Sequence, residues 1–76
     1  MTNAEIEAFL TICEYGSISK AAEKLFISQS SLSTKIKTLE KKVGCALFVR
    51  SKGVRGIHLT DDGRKFLELA IKYQKI

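Results

Sequence analysis

The chain has no proline, one histidine, one methionine and two cysteines among its 76 residues. Without proline there is no proline-rich linker. No low-complexity tract, internal repeat or block of like charge divides the sequence either, so a single domain is expected. Cys13 and Cys45 are unclustered and His58, the only histidine, is distant from both, so no four-ligand zinc site can be assembled and neither metal nor cofactor is expected. Cys13 falls four residues after Phe9 and seven after Ile6 on an apolar helical stripe, which makes it a core residue. No 18-residue apolar run and no signal-peptide pattern occurs, which predicts no membrane partner and a reducing cytoplasm as the compartment. One histidine and no glycine-rich nucleotide motif leave catalysis without its usual groups, so the chain is not expected to be an enzyme; His58 is expected to be an ordinary strand residue.

The charge is uneven. The net charge is +5, but residues 1–19 carry three acids and no base, whereas residues 20–55 carry nine bases against two acids. Residues 56–76 return nearly to balance, with four bases and three acids. An excess of cations confined to one stretch is the footprint of a phosphate-backbone binder, because each neutralised phosphate releases condensed counterions. The apolar content of 45% can supply a core, yet a chain this short buries too little surface to be strongly stable alone.

The basic stretch contains SISKAAEKLFISQSSLSTKIKTLEKKVG, from Ser17 to Gly44. Its first half places Ala21, Ala22 and Leu25 on one helical face, where small side chains allow a second helix to approach closely. Its second half repeats Leu32, Ile36, Leu39 and Val43 at intervals of four, three and four, one narrow stripe of a helix turning about 100° per residue. Ser30, Thr34, Lys37 and Lys41 fall on the opposite side, with Gln29 and Ser33 flanking the first turn. Two helices joined by a short turn, the second polar at its start and basic further on, form a helix-turn-helix suited to entering a major groove.

Start and stop signals frame the rest. Thr2 and Glu5 form a candidate capping box for a first helix over Asn3 to Tyr15, with Ile6, Phe9, Leu10 and Cys13 inward and Gly16 as its stop. Ser17 and Ser28 are expected to cap the second and third helices, and Gly44 to end the third. Leu47–Val49 and Ile57–Leu59 are short β-prone runs around a glycine-bearing loop, which predicts a hairpin wing. Thr60 is expected to cap a last helix whose first turn carries Asp61 and Asp62. Its apolar stripe is Phe66, Leu69, Ala70, Tyr73 and Ile76. Since the three-helix core already has Ile6, Phe9, Leu25, Leu32, Ile36 and Leu39, the distal part of that stripe is expected to pack against a second copy.

The order and spacing of these elements resemble the N-terminal winged helix-turn-helix domain of LysR-type transcriptional regulators over nearly all of the chain. The resemblance rests on Ala21-Ala22 with Leu25, Ser28-Gln29 with Leu32-Ser33, Leu39-Glu40, Gly44 with Leu47-Phe48 and Arg50, and Leu59-Thr60 with Gly63. It implies a mainly α fold: a three-helix core, a short β-hairpin wing and a C-terminal linker helix through which the protein forms a homodimer. It implies sequence-specific binding of double-stranded DNA by a bacterial regulator, with the third helix (about 29–43) in the major groove and the wing near the minor groove. On this basis residues 1–59 are expected to be the DNA-binding domain and 60–76 the start of the dimerising helix. A C-terminal effector domain, to which any small-molecule inducer would bind, lies outside this sequence.

Departures from the family pattern occur at Ser30 and Ala46, often proline in relatives, and at Thr34, often arginine. Loss of a long cation at position 34 means that base preferences do not transfer from relatives. Gln29, Ser30, Ser33 and Thr34 are the candidate groove contacts, Gln29 by pairing with adenine. Ser17, Ser19, Lys20, Lys35 and Lys37, with Arg50, Lys52 and Arg55 around the wing, are the candidate phosphate contacts. The alternative is a helix-turn-helix used only for protein contacts, which predicts an apolar outer face on the third helix.

Overall fold

Four helix starts and one hairpin organise the computed structural model, which describes residues 3–49 and 57–74. The order is α1 (Asn3–Tyr15), α2 (Ile18–Leu25), α3 (Gln29–Val43), β1 (Phe48–Val49), β2 (His58–Leu59) and α4 (Asp61–Gln74). Among the expected features, Thr2 of the capping box, Arg50, Lys52 and Arg55 around the wing and Ile76 lie outside the described residues.

The side chains of Ser17, Ser28 and Thr60 cap their helices as the sequence predicts. The Ser17 hydroxyl accepts a hydrogen bond from the Lys20 N–H at 3.3 Å and the Ser28 hydroxyl one from the Ser31 N–H at 3.1 Å, each satisfying an orphan donor of the first turn. At the head of α4 one hydroxyl has two tasks. Thr60 Oγ1 accepts from the Gly63 N–H at 2.9 Å and donates to the Ala46 carbonyl at 2.7 Å, so the cap also fastens α4 to the segment entering the wing. Gly44, with φ of 82°, closes α3 through a left-handed turn that suits glycine. The corresponding position after α2 is Phe26, left-handed at φ 59° without being glycine, and 94% exposed.

The core forms where α1, α2 and α3 meet the wing strands and α4. Ala21 and Ala22 are buried and allow the close α1–α2 approach, whereas Leu25 is only half-buried at the rim. Leu32, Ile36 and Leu39 are fully enclosed. Phe9 lies between two rings, tilted against Phe48 with centroids 5.3 Å apart and edge-on to Phe66 at 5.0 Å, geometries that favour aromatic pairs beyond their buried area. Cys13 is half-buried against this core, and burial pushes its thiol up to about 11. The wing strands pair antiparallel, Phe48 opposite Leu59 and Val49 opposite His58.

Two polar ties cross the core edge. Glu5, buried on α1, accepts a hydrogen bond from Lys42 Nζ at 3.1 Å, joining the start of α1 to the end of α3. Glu40 Oε2 accepts from the Leu47 N–H at 2.7 Å and from the Phe48 N–H at 3.4 Å.

The expected stripe on α4 is divided by the fold. Phe66 and Ala70 are buried in the chain's own core, which removes them from any surface offered to a second copy. Leu69 stays 62% exposed and Tyr73 about half exposed, its hydroxyl donating to Asn3 Oδ1 at 2.6 Å. The division has a geometric cause: α4 lies against α1 and β2, and the arc that touches them contains Phe66 and Ala70 but not Leu69.

Candidate nucleic-acid interface

A helix held from one side presents the other. Burial of Leu32, Ile36 and Leu39 fixes the rotation of α3, and Gln29, Ser30, Thr34, Lys37 and Lys41 are consequently exposed. Ser33 and Lys35 are half-buried at the two flanks of that face. Within the first turn, Gln29 Nε2 donates to the Ser19 hydroxyl at 3.2 Å, so the structure brings these two candidate contacts from α3 and α2 together. Such a bond holds the amide across the mouth of the turn and reduces the side-chain entropy lost when it meets a partner.

The remaining candidates differ in position. Ser19 and Lys20 lie exposed on the first turn of α2, while Ser17 is half-buried with its hydroxyl already engaged as the cap. Lys35 and Lys37 lie on opposite edges of α3, and Lys41 extends the cationic face one turn beyond Lys37. The face is thus polar at its start and positive toward its end, the layout that favours phosphate contact along the helix and base contact at its tip.

Sequence reasoning missed three residues. Glu40 was legible only as part of a motif, and its role as acceptor for the first wing strand depends on a contact seven residues away. Thr38 is exposed on α3, its hydroxyl donating to the Thr34 carbonyl at 3.0 Å. Phe26 lies two residues before the cap of α3 and projects into solvent, where an aromatic in an apolar context suggests burial; nothing in its local pattern signals otherwise. Among the described residues no helix is long and apolar enough to cross a membrane.

A family model for bacterial regulatory helix-turn-helix proteins of the lysR family matches residues 4–64. The chain belongs to the LysR family. Among its curated relatives are the HTH-type transcriptional regulator CitR of Bacillus subtilis (strain 168), 45% identical over 67 residues, which cover 88% of this chain and 22% of CitR. The regulator CzcR of Bacillus thuringiensis subsp. konkukian (strain 97-27) is 41% identical over 63 residues, 83% of this chain and 21% of CzcR. The chain therefore spans about a fifth of the length of these LysR-family regulators. Among solved structures, the CbnR DBD in complex with DNA superposes with a TM-score of 0.90 at 33% identity, over 99% of this chain and 84% of that one. The BenM DBD bound to catB site 1 DNA superposes at 0.88 with 35% identity, over 99% and 82% of the two chains. These matches extend through α4, so the family fold includes the helix that closes the core.

Proposed function

We propose that this LysR-family domain binds double-stranded DNA sequence-specifically on behalf of a transcriptional regulator, with α3 in the major groove and the segment between β1 and β2 near the minor groove. The observation that carries the reading is the division of α3 into a fully enclosed apolar stripe and an outer face of Gln29, Ser30, Thr34, Lys37 and Lys41. A helix-turn-helix used for protein contacts alone would expose apolar groups there. In this reading Gln29, Ser30, Ser33 and Thr34 meet base edges, and Ser19, Lys20, Lys35 and Lys37 meet phosphates, joined by Arg50, Lys52 and Arg55. Ser17 caps α2 by accepting from the Lys20 N–H and keeps its hydroxyl proton to donate to a phosphate. The domain performs no catalytic step, needs no cofactor, and works in the bacterial cytoplasm where its DNA lies.

The same reading makes the chain a homodimer through the exposed distal part of α4, at Leu69 and Tyr73, with Ile76 as a further candidate. Two copies of α3 then address a symmetric pair of half-sites. Residues 1–59 carry the contacts to DNA and 60–76 begin the dimerising helix. Selection of bound duplexes from a random pool, followed by titration of the selected site at several salt concentrations, tests the proposal. The expected result is a paired consensus and an affinity that falls steeply with salt; a random pool outcome with salt-independent affinity overturns it.

A further inference from the structure

Thr34 lies in the middle of the exposed face of α3, and its hydroxyl is turned back onto the helix. Oγ1 donates to the Ser30 carbonyl at 2.9 Å, and the Thr38 hydroxyl makes the same contact with the Thr34 carbonyl one turn on. A threonine hydroxyl has one proton, so this donor is committed to the backbone. What Thr34 keeps for a partner is the γ-methyl group and the lone pairs of Oγ1, which can accept but not donate. Beside it, Thr34 lines a shallow surface cleft with Ile27, Ser30, Ser31 and Lys35. The two serines are drawn toward the cap, Ser30 Oγ lying 3.3 Å from Ser28 Oγ and Ser31 Oγ accepting from it at 3.0 Å. The cleft thus brings together an apolar residue, Ile27, a methyl-bearing one, Thr34, and a cationic one, Lys35.

We infer that Thr34 and Ile27 seat the C5-methyl group of a pyrimidine in the major groove, thymine in unmodified DNA, while Lys35 meets an adjacent phosphate. The inference rests on the DNA-binding reading above and names what part of α3 recognises. In the major groove the purine acceptors call for a donor that Thr34 no longer has, and an oxygen that only accepts would serve adenine N6 or cytosine N4; Ile27 beside Thr34 favours instead the C5-methyl of thymine, the one apolar group any base pair presents there. Position 34 accordingly reads a methyl rather than a guanine edge.

Replacing thymine by uracil removes only that methyl and leaves every pairing and groove hydrogen-bonding group intact, so it isolates the contact. Duplexes selected by this chain are remade with each thymine replaced in turn. At one thymine of each half-site, uracil is expected to weaken binding about fourfold, the equivalent of about 0.8 kcal/mol for a methyl-sized group withdrawn from contact. Thr34→Ser, which keeps the back-bonded hydroxyl and loses the methyl, should abolish the thymine preference at that position alone. Thr34→Val, which keeps a methyl and loses the hydroxyl, should retain it. A 5-methylcytosine·guanine pair placed there should bind more tightly than cytosine·guanine by a similar factor, assigning recognition to the methyl itself. Tolerance of uracil at every thymine, or an undiminished preference in Thr34→Ser, overturns the proposal. Failure to select any preferred duplex overturns the DNA-binding reading, and this inference with it.

Discussion

The carboxylate of Glu40 accepts a hydrogen bond from the backbone N–H of Leu47 at 2.7 Å, and so a side chain near the end of α3 fixes the start of the wing. Leu47 is fully buried and Glu40 half-buried, so the bond lies at the edge of the core. One charged group thereby ties α3 to the wing, beside the Thr60 hydroxyl bond to Ala46 and the burial of Leu47 and Phe48.

Removing it is costly. Glu40→Ala should destabilise the domain by about 2 kcal/mol, because a charge-assisted bond is lost and a buried donor is left unsatisfied. Glu40→Gln keeps an acceptor oxygen and should lose roughly half as much. Urea denaturation followed by circular dichroism measures both; equal midpoints for wild type and Glu40→Ala would remove the assigned role.

Gln29 and Lys37 should separate base reading from backbone attraction. Gln29→Ala is expected to weaken binding to the selected duplex by about 1–3 kcal/mol and to random duplex far less. Lys37→Ala should weaken both alike and lower the salt slope by about one phosphate. Titrations of the two duplexes at several salt concentrations give both quantities, and equal losses for Gln29→Ala on both would reassign it to the backbone.

Helix propensity and packing oppose one another at Gly63. Alanine is favoured over glycine inside a helix by about 1 kcal/mol, yet a Cβ at Gly63 would overlap the carbonyl oxygen of Leu47, a backbone atom that cannot step aside. Gly63→Ala should therefore destabilise by about 1–3 kcal/mol and lower the thermal midpoint. A raised midpoint would mean that α4 and the Leu47 segment separate more easily than their contact implies.

Leu69 is the cleaner probe of assembly, since it is exposed while Phe66 and Ala70 belong to the core and Tyr73 also binds Asn3. Leu69→Glu should leave the unfolding free energy of the monomer within about 0.5 kcal/mol of wild type and reduce self-association. Sedimentation equilibrium at rising concentration tests this; unchanged association would place the dimer contact elsewhere.

Cys13 gives the fold a dependence on alkaline pH. Burial raises its thiol from 9.0 to about 11, favouring the neutral form when folded. Below about pH 9 both states keep the proton and this group contributes no slope; as pH rises from there toward 11 the unfolded chain ionises first and stability falls. At pH 8 iodoacetamide should modify Cys13 in the folded chain on the order of a hundredfold more slowly than in urea, as followed by mass spectrometry of the Cys13 peptide. Equal rates would show the thiolate to be accessible.

The sequence by itself determined the helices, their caps and the two faces of α3. Ser17, Ser28 and Gly44 act within a few residues of themselves, and the spacing of Leu32, Ile36 and Leu39 alone fixes which side of α3 remains outside. Tertiary structure decided what depends on residues far apart in the chain. It divided the α4 stripe between core and solvent, because only the placement of α4 against α1 tells Phe66 from Leu69. It assigned Glu40 to the wing and turned Phe26 outward, neither of which any local periodicity encodes. It also drew the Gln29 amide to Ser19 across the helix turn, a meeting of two side chains ten residues apart that requires the angle between α2 and α3. Periodicity sets which face of a helix is apolar, and packing decides what that face meets.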